Sequence, residues 1–141
     1  QRFDGYLTIL CNGGVVDWWW KNGDNAQPFF GITYTKPDDL PGNFYPDYIV
    51  SLTDGRLGLI ETKGQGDDDP KTPLKSESLQ DYLTDINNDT ARPRAGKYFG
   101  GIAMDQGGHW YYFNRETGIS FEEFSANPNQ GCSCRDNWFT L

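Results

Sequence analysis

Histidine, methionine and cysteine are nearly missing from this chain of 141 residues, which has one histidine, one methionine and three cysteines. A single histidine excludes a catalytic pair of imidazoles. It also leaves zinc a poor ligand set, His109 with Cys132 and Cys134. Cys11 stands alone, and Cys132-Ser133-Cys134 is too short a spacing for an easy bridge. No disulfide framework is therefore expected, and the default setting is a reduced, intracellular (cytoplasmic) one. No apolar run reaches the length of a membrane span, and the mean hydropathy is negative. Basic residues are scarce, with 12 Lys and Arg against 20 Asp and Glu, for a formal net charge of -8. That balance argues against an autonomous, tight binder of nucleic acid, because phosphate neutralisation needs cationic side chains. Bound divalent metal, or a neighbouring domain that grips the nucleic acid, would offset it. The length suits one domain, residues 1–141, with one core. The chain does not begin with Met, so a piece of a longer polypeptide is expected. Gln1-Arg2-Phe3 leads directly into structured-looking sequence, so no secretory signal is expected.

What is present is aromatic and apolar material in short segments, with aromatics at 16%. Phe3, Tyr6, Leu7 and Leu10 have helical spacing, and Asn12-Gly13-Gly14 ends that helix. Val15 to Trp20 reads as a strand with Val16, Trp18 and Trp20 on one face and Asp17 and Trp19 on the other. Lys21 to Gln27 is turn material, Pro28 to Tyr34 a second strand, and Lys36 to Asn43 a loop. Two apolar strands follow, Phe44–Leu52 and Arg56–Thr62, joined by a tight turn. After the Gly64 to Pro70 loop, Leu74, Leu79, Tyr82, Leu83 and Ile86 mark a helix, with Thr72 as its cap and Pro73 in its first turn. Lys97–Met104 and His109–Asn114 are two further strands, and Phe121–Phe124 a short helical turn. The order gives an α+β fold, a mixed central sheet flanked by helices. The helix crosses between the hairpin and the next strand, which makes that strand parallel to one hairpin strand.

Glu61 and Lys63 lie two apart on an apolar strand and share a face. Asp47 stands near the start of the partner strand, at the same open end. Charges at such a place need partners. Asp47 and Glu61 have the oxygen chemistry that magnesium, or manganese in its place, accepts, and the backbone carbonyl of Thr62 can add a ligand. Metal-bound water attacking phosphorus, with Lys63 orienting it and offsetting negative charge, is phosphodiester hydrolysis. Register decides whether the set assembles. A two-residue turn, Asp54-Gly55, pairs Asp47 with Thr62 and sends it to the wrong face. A three-residue loop, Thr53-Asp54-Gly55, pairs Asp47 with Glu61 and favours glycine last, and a bulge between turn and site would have the same effect on facing.

Tyr45-Pro46-Asp47, the apolar strand after it and Glu61-Thr62-Lys63 resemble the PD-(D/E)xK restriction-endonuclease-like superfamily. The likeness is closest to the nuclease domain of type III restriction subunits and helicase-linked nucleases. There, as here, a Trp-rich strand (Val16 to Asn22) precedes the hairpin, and a Lys-containing helix (Lys75 through Leu83) follows. The resemblance covers roughly residues 1–105. It implies a magnesium-dependent endodeoxyribonuclease with Asp47, Glu61 and Lys63 catalytic and Asp47, Glu61 and Thr62 at the metal. DNA is the implied partner, beside helicase or translocase domains of the parent chain; a dimer for double-strand cleavage is left open. Lys75, and after it Gln80, are the candidates to meet the substrate phosphate. Members often carry an acid on the first helix. Here Asp4 is the only acid in that segment, the alternative being a residue before Gln1.

Blander readings stand beside these. The charges of Asp47, Glu61 and Lys63 could decorate an edge hairpin, or the domain could be a dead relative. Trp18-Trp19-Trp20 is read as packing rather than a base-stacking platform. Asp67-Asp68-Asp69 is read as a solvated loop, His109 as a strand start and Glu122-Glu123 as surface. Two other functions remain in view: a repair or recombination nuclease of the same superfamily, and a non-catalytic β-rich module that stacks its aromatics on sugars.

Overall fold

The computed structural model describes residues 3–21 and 31–133. The expected turn over residues 22–27, the expected strand at residues 28–30, and Cys134 lie outside the described residues. Helix α1 spans Phe3–Asn12 and buries Phe3 and Leu7, one turn apart. It stops at Gly13 and at Gly14, whose φ of 79° suits glycine. Strand β1 (Val16–Lys21) then starts a six-stranded sheet with β4 (Tyr48–Leu52), β5 (Leu57–Lys63), β6 (Tyr98–Gln106), β7 (His109–Phe113) and β8 (Cys132–Ser133), in that spatial order. Among the described residues only the β5–β6 pair is parallel, and helix α2 (Lys71–Asn88) makes the crossover between them. The fold is thus α+β with a mixed central sheet, as the order of elements implies. No helix among the described residues is long and apolar enough to cross a membrane.

Each face of the sheet has its own core. Tyr48, Val50, Leu52 and Ile60 meet Phe3 and Leu7 of α1. Ile49, Leu57 and Leu59 meet Leu79, Leu83 and Ile86 of α2. Helix α3 (Phe121–Ala126) places Phe121 and Phe124 against Ile102, Met104 and Phe113. It begins with a capping box from Ser120 and Glu123, so Glu123 is more than a surface acid.

Four expectations are corrected. First, the β1 pairing slips between Val16 and Trp18, a bulge at Asp17. The extra residue moves Trp18 and Trp20 away from Val16, which shares the α1-side core with Trp19. Second, residues 41–44 are not loop. Strand β2 (Ile32–Thr35) pairs antiparallel with β3 (Pro41–Phe44), and Phe44 belongs there rather than to the central hairpin. Their residues Ile32, Tyr34 and Phe44 join the core over α2. Third, Thr72 does not cap α2. It is buried inside the first turn and donates its hydroxyl to Asp67 Oδ1 at 2.9 Å, while Asp69 Oδ1 accepts from the Lys71 N–H at 2.9 Å. Fourth, the Asp67-Asp68-Asp69 loop is therefore only partly a solvated run. Two of its three carboxylates fasten the entry to the helix.

Candidate functional site

The hairpin β4–β5 pairs Tyr48 with Ile60, Ile49 with Leu59, Val50 with Gly58 and Ser51 with Leu57. Leu52 accepts from the Gly55 N–H at 3.0 Å and donates to the Arg56 carbonyl at 2.9 Å. The loop is Thr53-Asp54-Gly55, with Gly55 at a φ of 94°, the left-handed region where glycine has no penalty. The three-residue form places Asp47 opposite Glu61, and the regular two-residue form does not occur.

At that end the side chains interlock. The Asp47 N–H donates to Glu61 Oε1 at 3.2 Å. The Asp47 carboxylate turns over the end of β5, where Oδ2 accepts from the Thr62 N–H at 2.9 Å and the Thr62 hydroxyl at 2.8 Å. Thr62 is thus brought to Asp47 through its N–H and hydroxyl. Lys63 Nζ lies 3.7 Å from Glu61 Oε2.

Glu61 is only 5% exposed. Burial, and next the Asp47 charge beside it, push its carboxyl from 4.5 up to about 8, while Lys63 and Lys75 pull the other way. Distance alone makes Lys63–Glu61 an ion pair. Desolvation outweighs it, and at neutral pH Glu61 holds a proton next to Asp47. A buried, protonated carboxyl beside a second carboxylate is a candidate replacement site for a cation.

Lys75 lies one turn into α2. Its Nζ lies 5.7 Å from the Tyr34 ring centre and 5.8 Å from that of Phe44, so β2 and β3 cradle it on the Glu61 side of the sheet. Gln80 is not brought to the site. Its Nε2 donates to the Gly100 carbonyl at 3.0 Å and ties α2 to β6. Asp4 spends Oδ1 on the Gly5 N–H at 3.0 Å, and its neighbour Phe3 is the α1 residue that reaches the site.

In front of Asp47 runs an open groove of about 630 Å³, lined by Lys21, Asp47, Thr62, Lys63 and Asp105 beside the aromatic side chains of Phe3 and Trp110. Glu61 lies behind this surface. Lys21 and Asp105 escaped the sequence reading. Lys21 closes the Trp strand next to Tyr48 in register. Asp105 follows Met104, which pairs with Lys63 across the parallel ladder. The parallel crossover was the signal that could have found it.

The donor set is oxygen, from Asp47 and Glu61, with no histidine or thiolate. Among the described residues no three acidic, histidine or cysteine side chains converge on one point. Magnesium and manganese fit such a pair, since magnesium needs one or two carboxylates and keeps several waters. Compared with known proteins, the chain matches no family model, no curated protein and no solved structure.

Proposed function

We propose that this chain is a magnesium-dependent endodeoxyribonuclease domain of the PD-(D/E)xK type, working in the cytoplasm as the cleavage module of a restriction enzyme with a helicase or translocase part. The observation that carries the reading is the pairing of Asp47 with Glu61 by the three-residue loop, with Lys63 3.7 Å from Glu61. Asp47 and Glu61, with the Thr62 carbonyl, would hold magnesium or manganese. The bound cation would supply an acidified water and polarise the phosphoryl oxygen. Thr62 fixes the Asp47 carboxylate through two hydrogen bonds, so Asp47 is oriented before any substrate arrives. Loading the site would require Glu61 to release its proton to solvent. Lys63, at the rim of the groove, orients the attacking water and offsets the negative charge that grows at phosphorus. Lys75 supports the ionised form of Glu61 from behind the groove.

The net charge of -8 fits a module that cuts DNA held by other domains of its parent chain. A second reading has one observation in its favour. Trp18 and Trp20 are 44% and 42% exposed and, with Tyr98 and Arg94, line an apolar cleft of about 410 Å³ where aromatics could stack on a ligand. That cleft leaves Glu61 and Lys63 without a purpose, so it ranks below the nuclease. The test is cleavage of plasmid DNA with magnesium or manganese, against Lys63→Ala. Metal-dependent nicking or linearisation that disappears in Lys63→Ala supports the reading. No cleavage by the wild type with either metal opposes it.

A further inference from the structure

Among the described residues, one buried side-chain oxygen or nitrogen has no hydrogen-bond partner: Oδ1 of Asp105. A carboxylate oxygen withdrawn from water without a donor is unfavourable by about 1–3 kcal/mol, and more when charged. Such an atom needs a proton, a water or a cation. Its position narrows the choice. Asp105 lies at the end of β6, paired across the ladder with Trp110. By alternation it shares a face with Ala103, and Ala103 is the parallel partner of Thr62. Thr62 in turn holds Asp47. Asp47 thus reaches Thr62 from one neighbouring strand, Asp105 lies two residues beyond the partner of Thr62 on the other, and both line the same groove with Lys63.

We propose that Asp105 is a positioning residue of the cation site, accepting hydrogen bonds from the water shell of the cation held by Asp47 and Glu61. This rests on the reading of the groove as a magnesium-dependent nuclease site. Water mediation follows from two facts. Three acids do not converge closely enough to bind one ion directly. Magnesium also sheds its waters reluctantly and presents them as strong donors. The role suits an acid on β6, since Asp4 on α1 is engaged with its own helix turn and is not part of the groove surface. A carboxylate in this position also balances the two lysines that edge the groove, Lys21 and Lys63.

The experiment measures manganese binding by calorimetry, with no DNA present, for wild type, Asp105→Asn, Asp105→Ala and Asp47→Ala. Melting in metal-free buffer serves as the folding control. Expected is a Kd for manganese raised roughly 10–100-fold in both Asp105 variants, the usual size of an outer-shell loss. Metal-free melting should be unchanged or higher in Asp105→Asn, because an unsatisfied charge has been removed. Electron-nuclear double resonance of bound manganese should count the same number of inner waters in Asp105→Asn as in wild type. A Kd within twofold of wild type in both variants, while Asp47→Ala loses binding, would overturn the role of Asp105 and leave the nuclease reading intact. One inner water more in Asp105→Asn would overturn the water-mediated role by making Asp105 a direct ligand. Absence of millimolar manganese binding by the wild type would overturn both. Normal binding with no DNA cleavage would remove the nuclease reading alone.

Discussion

One hairpin carries two carboxylates whose environments push them in opposite directions. Asp54, at the closed end, is 56% exposed and sits 3.0 Å from the Arg56 guanidinium. Its carboxyl is held below the ordinary value, first by the Arg56 backbone N–H and then by the guanidinium. Glu61, at the open end, is buried and held up to about 8. The closed end solves a folding problem, since Asp54 and Arg56 satisfy one another and shape the turn. The open end leaves a problem unsolved, because a buried acid beside another acid destabilises the fold when both ionise. A buried acid tolerated at a stability penalty makes the open end the candidate functional site.

The sharpest way to break the contrast is to remove the open-end charges. Lys63→Ala should lower DNA cleavage by at least about 100-fold, the usual scale for losing a positioned proton-handling or charge-offsetting group. Its melting temperature should stay near wild type, because Lys63 is not in either core. Asp47→Ala should also abolish cleavage, but it should melt lower. It strips the Thr62 N–H and hydroxyl of their acceptor, a loss of about 1–3 kcal/mol.

Next in size is the pH dependence of stability. The folded-state pKa of Glu61 lies above its ordinary value, so the folded state binds the extra proton between about 4.5 and about 8. Stability from this group is present at low pH and falls as pH rises through that window, then levels off. The decline is at most about 1.4 kcal/mol per pH unit within that window, each kcal/mol being roughly 3–6 °C of melting temperature at this chain length. Thermal melts at pH 5 and pH 9 in metal-free buffer should show the decline in wild type and a much flatter profile in Glu61→Gln. An equal decline in Glu61→Gln would assign it to other groups.

Smaller effects belong to the closed end. Gly55→Ala should destabilise by about 1–2 kcal/mol, because its φ of 94° penalises a side chain. Asp54→Asn should change stability by no more than about 0.5 kcal/mol, an exposed pair being screened by solvent and salt. What little Asp54 contributes is present above its ordinary pKa and fades in acid. Chemical denaturation of both variants checks the order.

The same contrast explains what was legible beforehand. The hairpin and the shared strand face of Glu61 and Lys63 follow from local patterns, apolar strands and the period of two. The loop length, on which the approach of Asp47 depends, was open between a two-residue turn, a three-residue loop and a bulge until the register was seen. The α2 crossover and the parallel β5–β6 pair follow from the order of elements. The bulge at Asp17 was hidden, because alternation in Val16 to Trp20 carries no mark of an inserted residue. Strand β3 was read as loop because Pro41-Gly42 looks like a breaker, although proline is tolerated as the first residue of an edge strand. Gln80 was placed by helix position alone, which does not say that its amide reaches Gly100. Asp105 needed the register of two strands that are distant in sequence.

The central claim is that Asp47 and Glu61 form a cation site now held by a proton. The most direct measurement is the affinity of the wild type for manganese, by calorimetry between pH 6 and pH 9 in buffers of differing ionisation enthalpy. Below about 8 a cation must displace the Glu61 proton. The account predicts release of close to one proton per cation at pH 7, with affinity rising up to tenfold per pH unit and levelling near pH 8. Binding that is independent of pH with no proton released, or no binding at millimolar manganese, would contradict it.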